Sequence, residues 1–133
     1  MNKNWIALCL LAAALPATAI AGFKVSEQVS IVTLSSSSMR VRGSLIGAHN
    51  SSDGLQYIGC QNRYDFSYCW ARDASGRTAM CSASEPGRVA AMRSVNAASY
   101  IDITMTNGTC ANIEISTSSK WMSPVAPPMQ VGQ

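Results

Sequence analysis

Apolar and polar residues alternate along much of this chain. From residue 39 to residue 45 every second position is apolar or glycine, and Arg40 and Arg42 stand between these positions. A period of two is typical of a strand that is buried on one face. We therefore predict a strand here, with both arginines directed to water.

Six further strands are predicted where β-branched and aromatic residues lie between clusters of turn formers. They cover residues 24–34, 55–60, 66–72, 77–83, 99–105 and 111–116. The strands at 66–72 and 77–83 form a hairpin, because Asp73 opens a type I turn and Gly76 supplies the positive φ at its end.

The last hairpin permits two registers. A register centred on Gly108 pairs Ile101 with Ile115, whereas a two-residue turn at positions 107 and 108 would set Ile103 against Asn112. The apolar pattern favours the first register.

That register also places Asp102 beside Glu114, two like charges that repel each other unless an arginine or a cation lies between them. Paired carboxylates can serve glycoside hydrolysis. We favour a solvated or arginine-paired face instead.

One short helix is predicted before the sixth strand. Ser84 is its cap, Glu85 lies at the positive end of the helix dipole, and Pro86 lies in the first turn. The helix ends near residue 96. Seven short strands and one helix indicate a mainly β fold, either an antiparallel β-sandwich or a rolled sheet.

The first 21 residues have the features of a secretory signal peptide. Lys3 precedes an apolar run over residues 5–15, and Pro16 and small residues up to Ala21 follow. The run is about 11 residues long, whereas a membrane span needs about 20. We predict cleavage after Ala21, loss of Cys9 with the signal, and no membrane insertion afterwards.

The exported part is predicted to be a single domain over residues 22–120. The remaining residues, 121–133, contain three prolines within five positions and are predicted to be a flexible, Pro-rich C-terminal tail. A domain of this size has a narrow stability margin, so disulfides would raise its free energy of unfolding usefully.

Four cysteines remain after signal cleavage, which predicts two disulfides in an exported chain. We favour Cys69 with Cys81 and Cys60 with Cys110, since the turn at 73–76 sets the first pair on facing strands. Pairing Cys60 with Cys69 and Cys81 with Cys110 fits a turn centred on residues 64 and 65. A metal site is not expected, because no Cys-x-x-Cys pair occurs.

Charge is sparse in the exported part, which has nine basic and seven acidic side chains. A nucleic-acid binder would display a clustered basic stripe, but here the basic residues are scattered. We expect neither nucleic-acid binding nor a cofactor.

His49 is the only histidine and the only side chain whose ordinary pKa suits a general base near neutrality. Ser51, Ser52 and Asp53 follow it in one turn. Sequence neighbours seldom converge as a catalytic triad, so we assign no catalytic residue.

Candidate binding residues lie in the aromatic part of the chain. Tyr68, Trp70 and Arg72 share one face of a predicted strand, and Arg77 follows the next turn. Tyrosine, tryptophan and arginine dominate binding hot spots. Large apolar side chains such as Trp70 and Phe66 are usually buried, and we favour a core position for these two residues.

Several short motifs occur along the exported part: Gln-Tyr-Ile-Gly-Cys at 56–60, Asp-Ala-Ser-Gly at 73–76 followed by Cys81, and Gly-x-Cys at 108–110. They resemble small exported proteins of uncharacterised function in Gram-negative bacteria. The resemblance implies a signal peptide and four structural cysteines, and it implies no activity.

The function expected from the sequence is a secreted or periplasmic, non-enzymatic binding module that recognises a protein or glycan surface. Two alternatives remain open. One is a small secreted hydrolase that uses His49, which would then lie in a cleft. The other is an inhibitor of a foreign enzyme.

Overall fold

The computed structural model describes residues 25–122. The predicted signal peptide at 1–21 and residues 123–133 of the predicted tail lie outside the described residues. The predicted mainly β class is confirmed. Seven strands form one sheet: β1 Ser30–Ser35, β2 Ser38–Ser44, β3 Tyr57–Asn62, β4 Ser67–Arg72, β5 Thr78–Ala83, β6 Ser99–Thr106 and β7 Thr109–Thr117.

The strands are ordered β1-β2-β6-β7-β5-β4-β3. All neighbours are antiparallel except β5 and β7, which run parallel and share one residue pair, Ser82 with Thr109. This seam arises because the chain crosses from β5 to β6 before β7 returns beside β5. The sheet therefore has a four-stranded half and a three-stranded half, joined by a narrow parallel seam.

The sheet rolls around one core, so the rolled alternative describes it better than a sandwich of two sheets. Ile101 and Ile103 of the four-stranded half and Ala71 and Ala79 of the three-stranded half belong to the same buried cluster. Met92, from the helix between β5 and β6, is fully buried against them.

Side chains connect the edge strand β1 to the opposite end of the roll. The Val29 backbone N–H donates to Oε1 of Gln56, just before β3, at 2.7 Å. Nη2 of Arg77, in the β4–β5 turn, donates to the Ile31 carbonyl at 2.5 Å. These bonds occupy backbone groups on an edge that would otherwise invite pairing with another chain.

The β6–β7 hairpin has both the two-residue turn and the apolar register, which were expected to exclude each other. Ile101 pairs with Ile115, as predicted. Asn107 and Gly108 nevertheless form a two-residue turn, and both have positive φ, 50° and 74°. A β-bulge that leaves Ala111 without a partner reconciles turn and register.

Two α-helices are present, α1 Leu45–His49 and α2 Pro86–Arg93. Helix α1 was not predicted from the sequence. It begins at Leu45 because the Ser44 side chain accepts a hydrogen bond from the Gly47 N–H at 3.0 Å. The predicted helix is α2. Its cap is Glu85 rather than Ser84, and it ends at Arg93 rather than near residue 96.

The fold extends past residue 120, where the sequence analysis ended the domain. Trp121 lies in the short 3-10 helix Ser119–Trp121 and is 3% exposed. Its ring stacks on Tyr100, with centroids 4.9 Å apart. None of the helices formed by residues 25–122 is long and apolar enough to span a membrane.

Candidate functional site

The outer face of β4 carries three of the predicted site residues. Tyr68, Trp70 and Arg72 point away from the core, while Cys69 and Ala71 alternate with them and are buried. The expectation that Trp70 and Phe66 would belong to the core is therefore wrong, since Phe66 is 42% exposed and Trp70 is only half-buried on the outer face. The inner positions of β4 and β5 hold small residues, which share the core with larger isoleucine and methionine side chains of the other half.

Three aromatic rings follow one another, from Phe66 directly before β4 to Tyr68 and Trp70 on β4. The ring centroids of Phe66 and Tyr68 are 6.3 Å apart with planes inclined by 28°, and those of Tyr68 and Trp70 are 5.3 Å apart with planes inclined by 37°. Met80 lies opposite Trp70 on β5 and is 66% exposed, and Phe66 is 42% exposed. We call Phe66, Tyr68, Trp70 and Met80 the aromatic face.

Strands β3 and β5 flank the aromatic face. Both strands present polar side chains beside it, and β3 also leaves open space next to Trp70. Gly59 of β3 lies opposite Trp70, and a Cβ built at Gly59 would meet no atom within 4 Å. Gln61 lies opposite Tyr68 and accepts a hydrogen bond from its hydroxyl group. On the other side of Tyr68 lies Ser82 of β5.

A shallow cavity of about 380 Å³ adjoins the aromatic face. It extends from β4 across β5 to the turn before β7, and so it lies over the parallel seam. Its lining consists of Phe66, Tyr68, Met80, Cys81, Ser82 and Gly108.

Arg72 is the only charged residue among the outward positions of β3, β4 and β5, all of which the structure describes. Its side chain lies near the β4–β5 turn, where a Cβ at Gly76 would be 3.5 Å from Nη2. Nε of Arg72 is buried and has no hydrogen-bond partner. The face is thus almost neutral, with one cation at its end.

The structure does not bring Arg77 to the aromatic face. Its guanidinium forms a salt bridge with Asp73, at 2.8 Å, and reaches Ile31 of β1. Burial raises the pKa of Asp73, but hydrogen bonds from Ser75 and Arg77 outweigh burial, so its pKa is below the ordinary value. Arg77 therefore has a structural role at the edge of the roll.

His49 is exposed at the end of α1, where it lines an open cavity of about 280 Å³ together with Leu45 and Tyr57. The nearby Asp53 carboxylate accepts hydrogen bonds from the Gln56 side chain, the Leu55 N–H and the Ser51 hydroxyl group. These bonds, led by that of Gln56, hold the pKa of Asp53 below its ordinary value. The carboxylate orients its own turn and leaves His49 without the orienting partner that a triad needs.

The predicted pairing of Asp102 with Glu114 is confirmed, and Asp102 is paired with an arginine on β2, on the side of β6 away from Glu114. Nε and Nη2 of Arg40 donate to the two carboxylate oxygens of Asp102 at 2.9 and 2.7 Å. Such two-point contact offsets the repulsion between the carboxylates. Within residues 25–122 no group of three or more His, Cys, Asp or Glu side chains is placed to hold a metal ion.

All four predicted disulfide cysteines are oxidised, but the favoured pairing is wrong. The bonds join Cys60 with Cys69 and Cys81 with Cys110, which is the alternative that the sequence left open. Cys69 lies directly opposite both Cys60 on β3 and Cys81 on β5. Register alone thus permits either partner.

The two possible pairs occupy different positions in the hydrogen-bond pattern of the hairpins. The Asp73 N–H donates to the Arg77 carbonyl at the end of the β4–β5 ladder. Because bonded and non-bonded pairs alternate, Cys69 and Cys81 occupy a hydrogen-bonded position. Cys60 and Cys69 occupy a non-hydrogen-bonded position, where the chains approach more closely, and their Cα atoms are 4.0 Å apart.

The second disulfide crosses the parallel seam. The bulge at Ala111 turns Cys110 inward, where it is completely buried. The Cα atoms of Cys110 and Cys81 are 5.1 Å apart. This bond therefore reinforces the place where the two halves of the sheet share the least backbone pairing.

The sequence analysis missed Met80 and Gly59 as parts of the site. The signal for Met80 was present, since Ala79, Cys81 and Ala83 alternate with it and form the buried face of β5. Gly59 carried no such signal, because its contribution is the absence of a side chain beside Trp70.

Comparison of the chain with protein-family models, with curated proteins and with solved structures finds no match.

Proposed function

We propose that this protein is an exported, non-enzymatic binding module and that its aromatic face binds a glycan. The observation that carries the proposal is the row of three rings formed by Tyr68 and Trp70 on the outer face of β4 and by Phe66 directly before that strand. Large apolar side chains on a solvent-facing surface are typical of interaction sites.

The shape and polarity of the face favour a glycan over a protein. Sugar rings present C–H groups with slight positive charge, which pack well on the negative face of an aromatic ring. Protein hot spots instead lie in well-packed, fully desolvated pockets, whereas this face is open and its cavity is shallow. Consecutive rings along a strand suit a ligand made of consecutive flat units.

The flanks provide groups that sugar hydroxyls require. Gln61 supplies an amide, and Ser82 and Thr78 supply hydroxyl groups on the other side of the rings. Hydroxyl groups of a bound sugar lose water and need such partners. Because Arg72 is the only charge on these outward positions, the expected ligand is an uncharged polysaccharide.

Export is part of the proposal. Disulfides form and persist in oxidising compartments, and the chain has two of them. Together with the signal-peptide pattern at residues 1–21, they support a secreted or periplasmic location.

The experiment is a binding survey of the purified protein against neutral and anionic polysaccharides, by affinity electrophoresis and by co-sedimentation with insoluble polymers. We expect retention by at least one neutral polymer. Trp70→Ala should weaken that binding about tenfold or more, equivalent to about 1.4 kcal/mol. Val32→Ala is the matched control, because Val32 is 42% exposed on β1 and does not belong to the aromatic face.

Retention by no polysaccharide would refute the glycan proposal, as would equal binding by the Trp70→Ala and wild-type proteins. If cross-linking captures a protein partner that Trp70→Ala loses while no polymer binds, the binding face is supported and the glycan is wrong. Far-UV circular dichroism of each variant checks that the sheet is intact.

A further inference from the structure

We infer that the four cysteines form a thiol-exchange site. An external thiol attacks Cys60, and the second disulfide then moves from Cys81–Cys110 to Cys69–Cys81. This inference goes beyond the proposed function and stands independently of any glycan. It rests on the positions of the four cysteines across the sheet.

The cysteines form one row over four adjacent strands. Cys60, Cys69, Cys81 and Cys110 lie on β3, β4, β5 and β7, which are neighbours in that order. Residues directly opposite each other on adjacent strands project to the same face of a sheet. Cys69 therefore projects beside Cys81 as well as beside Cys60.

Only one end of the row is open to an external reagent. Cys60 is partly exposed, while the other three cysteines are at most 2% exposed. Thiol–disulfide exchange requires a thiolate to reach a disulfide sulfur. A low-molecular-weight thiol would therefore attack Sγ of Cys60.

The first step forms a bond between the external sulfur and Sγ of Cys60, and it breaks the bond from Cys60 to Cys69. The electron pair of the broken bond remains on Cys69 as a thiolate. In the second step this thiolate attacks Sγ of Cys81, and the bond from Cys81 to Cys110 breaks. Cys110 leaves as a thiolate and takes up the proton released by the external thiol.

The geometry suits the second step. Since β5 lies between β4 and β7, the attacking sulfur of Cys69 and the leaving sulfur of Cys110 lie on opposite sides of Cys81. Opposed residues at a hydrogen-bonded position have Cα atoms about 5.5 Å apart. That distance lies within the range of about 4.4–6.8 Å that a disulfide tolerates.

The exchange would remove the covalent link between β5 and β7 at the parallel seam. Without the bond between Cys81 and Cys110, β5 and β7 keep the residue pair Ser82 with Thr109 and one bond from the Ser82 N–H to the Gly108 carbonyl, 2.9 Å long. Cys81 and Gly108 also line the shallow cavity beside the aromatic face. A change in thiol supply would thus alter the shape of this surface.

The alternative bond is tested directly with Cys60→Ser/Cys110→Ser, which leaves only Cys69 and Cys81 in the exported part. We expect these two to form a disulfide in a folded protein, detected by peptide mapping under non-reducing conditions. The matched control is Cys69→Ser/Cys81→Ser. Its two cysteines are three strand spacings apart, about 14 Å, so they should remain thiols in the folded protein.

The movement of the bond is tested with Cys60→Ser alone, which keeps Cys81 with Cys110 available and frees Cys69. After incubation near pH 8, acid quenching and alkylation in denaturant, we expect the free thiol to be divided between Cys69 and Cys110. The exchange should accelerate as pH rises, since the thiolate is the nucleophile. A free thiol found at Cys69 alone, at every pH and time, would overturn the inference.

The point of attack is tested on the wild-type chain with reduced glutathione as the probe. Mass mapping should place glutathione on Cys60 and a free thiol on Cys110. Glutathione found on Cys69 or Cys81 instead would refute attack at the open end of the row.

Discussion

Nη2 of Arg77 donates a hydrogen bond to the carbonyl oxygen of Ile31, 46 residues earlier in the chain, at 2.5 Å. The same guanidinium is paired with Asp73, which is 4% exposed. One side chain thus holds the edge strand β1 to the β4–β5 turn and also neutralises a buried carboxylate.

Arg77→Ala should lower the free energy of unfolding by about 1–3 kcal/mol. Removing one partner of a fully buried pair costs about 3–5 kcal/mol, and the partial exposure of Arg77 reduces that figure. Urea denaturation measures the change. Arg88→Ala is the control, because Arg88 and Glu85 form an exposed pair at 4.0 Å that should contribute less than about 0.5 kcal/mol. Equal effects of the two substitutions would contradict the role given to Arg77.

Asp73 should make the fold sensitive to acid. Because its folded-state pKa is below the ordinary value, its contribution to stability is present above the unfolded-state pKa of about 3.9. That contribution is lost as pH falls from there through the folded-state pKa.

Unfolding free energies of the wild-type protein and Asp73→Asn, measured in urea between pH 7 and pH 2.5, check this expectation. The variant should be less stable near neutrality, and its stability should fall less steeply below pH 4. Parallel pH profiles would show that Asp73 does not contribute in this way.

The two disulfides should differ in their contribution to stability. Cys60 and Cys69 are 9 residues apart, and Cys81 and Cys110 are 29 apart. The larger loop loses more entropy when it is closed, which alone gives the second bond about 1 kcal/mol more.

The difference in stability between the two disulfides should be larger still, because β5 and β7 share only one residue pair and depend on the bond between Cys81 and Cys110. We therefore expect Cys81→Ser/Cys110→Ser to unfold at lower urea concentration than Cys60→Ser/Cys69→Ser. The opposite order would mean that the seam does not depend on its disulfide.

The sequence predicted most strands, because their buried faces alternate with exposed ones. It could not predict how the β6–β7 hairpin reconciles its turn with its register. The Asn107–Gly108 turn and the pairing of Ile101 with Ile115 are compatible only through the bulge at Ala111. A bulge leaves no mark in the apolar pattern beyond an apparent conflict between the turn and the register.

The cysteine pairing shows a second kind of limit. Cys69 faces a cysteine on each side, so knowing the strand register does not decide its partner. The two pairs differ in whether they occupy a hydrogen-bonded position, and that follows from the length and bonding of each turn. The candidate site was predicted in part, since the shared face of Tyr68, Trp70 and Arg72 follows from their period of two.

Gly59 offers a test of the aromatic face that leaves its aromatic residues unchanged. It lies opposite Trp70, and a Cβ at this position would meet no atom within 4 Å. A ligand that lies along the rings would occupy this open flank. Gly59→Phe fills the flank with a bulky side chain, whereas Gly59→Ala adds only a methyl group.

We expect Gly59→Phe to weaken polysaccharide binding about tenfold, or about 1.4 kcal/mol, in the electrophoretic assay proposed above. Gly59→Ala should change binding by less than about twofold. Neither substitution should destabilise the fold, since glycine in a strand costs about 0.5–1 kcal/mol relative to alanine and a Cβ at this position meets no neighbour. Urea denaturation checks that point. Undiminished binding by a stable Gly59→Phe variant would place the ligand away from Trp70, because nothing could then lie along the flank that phenylalanine fills.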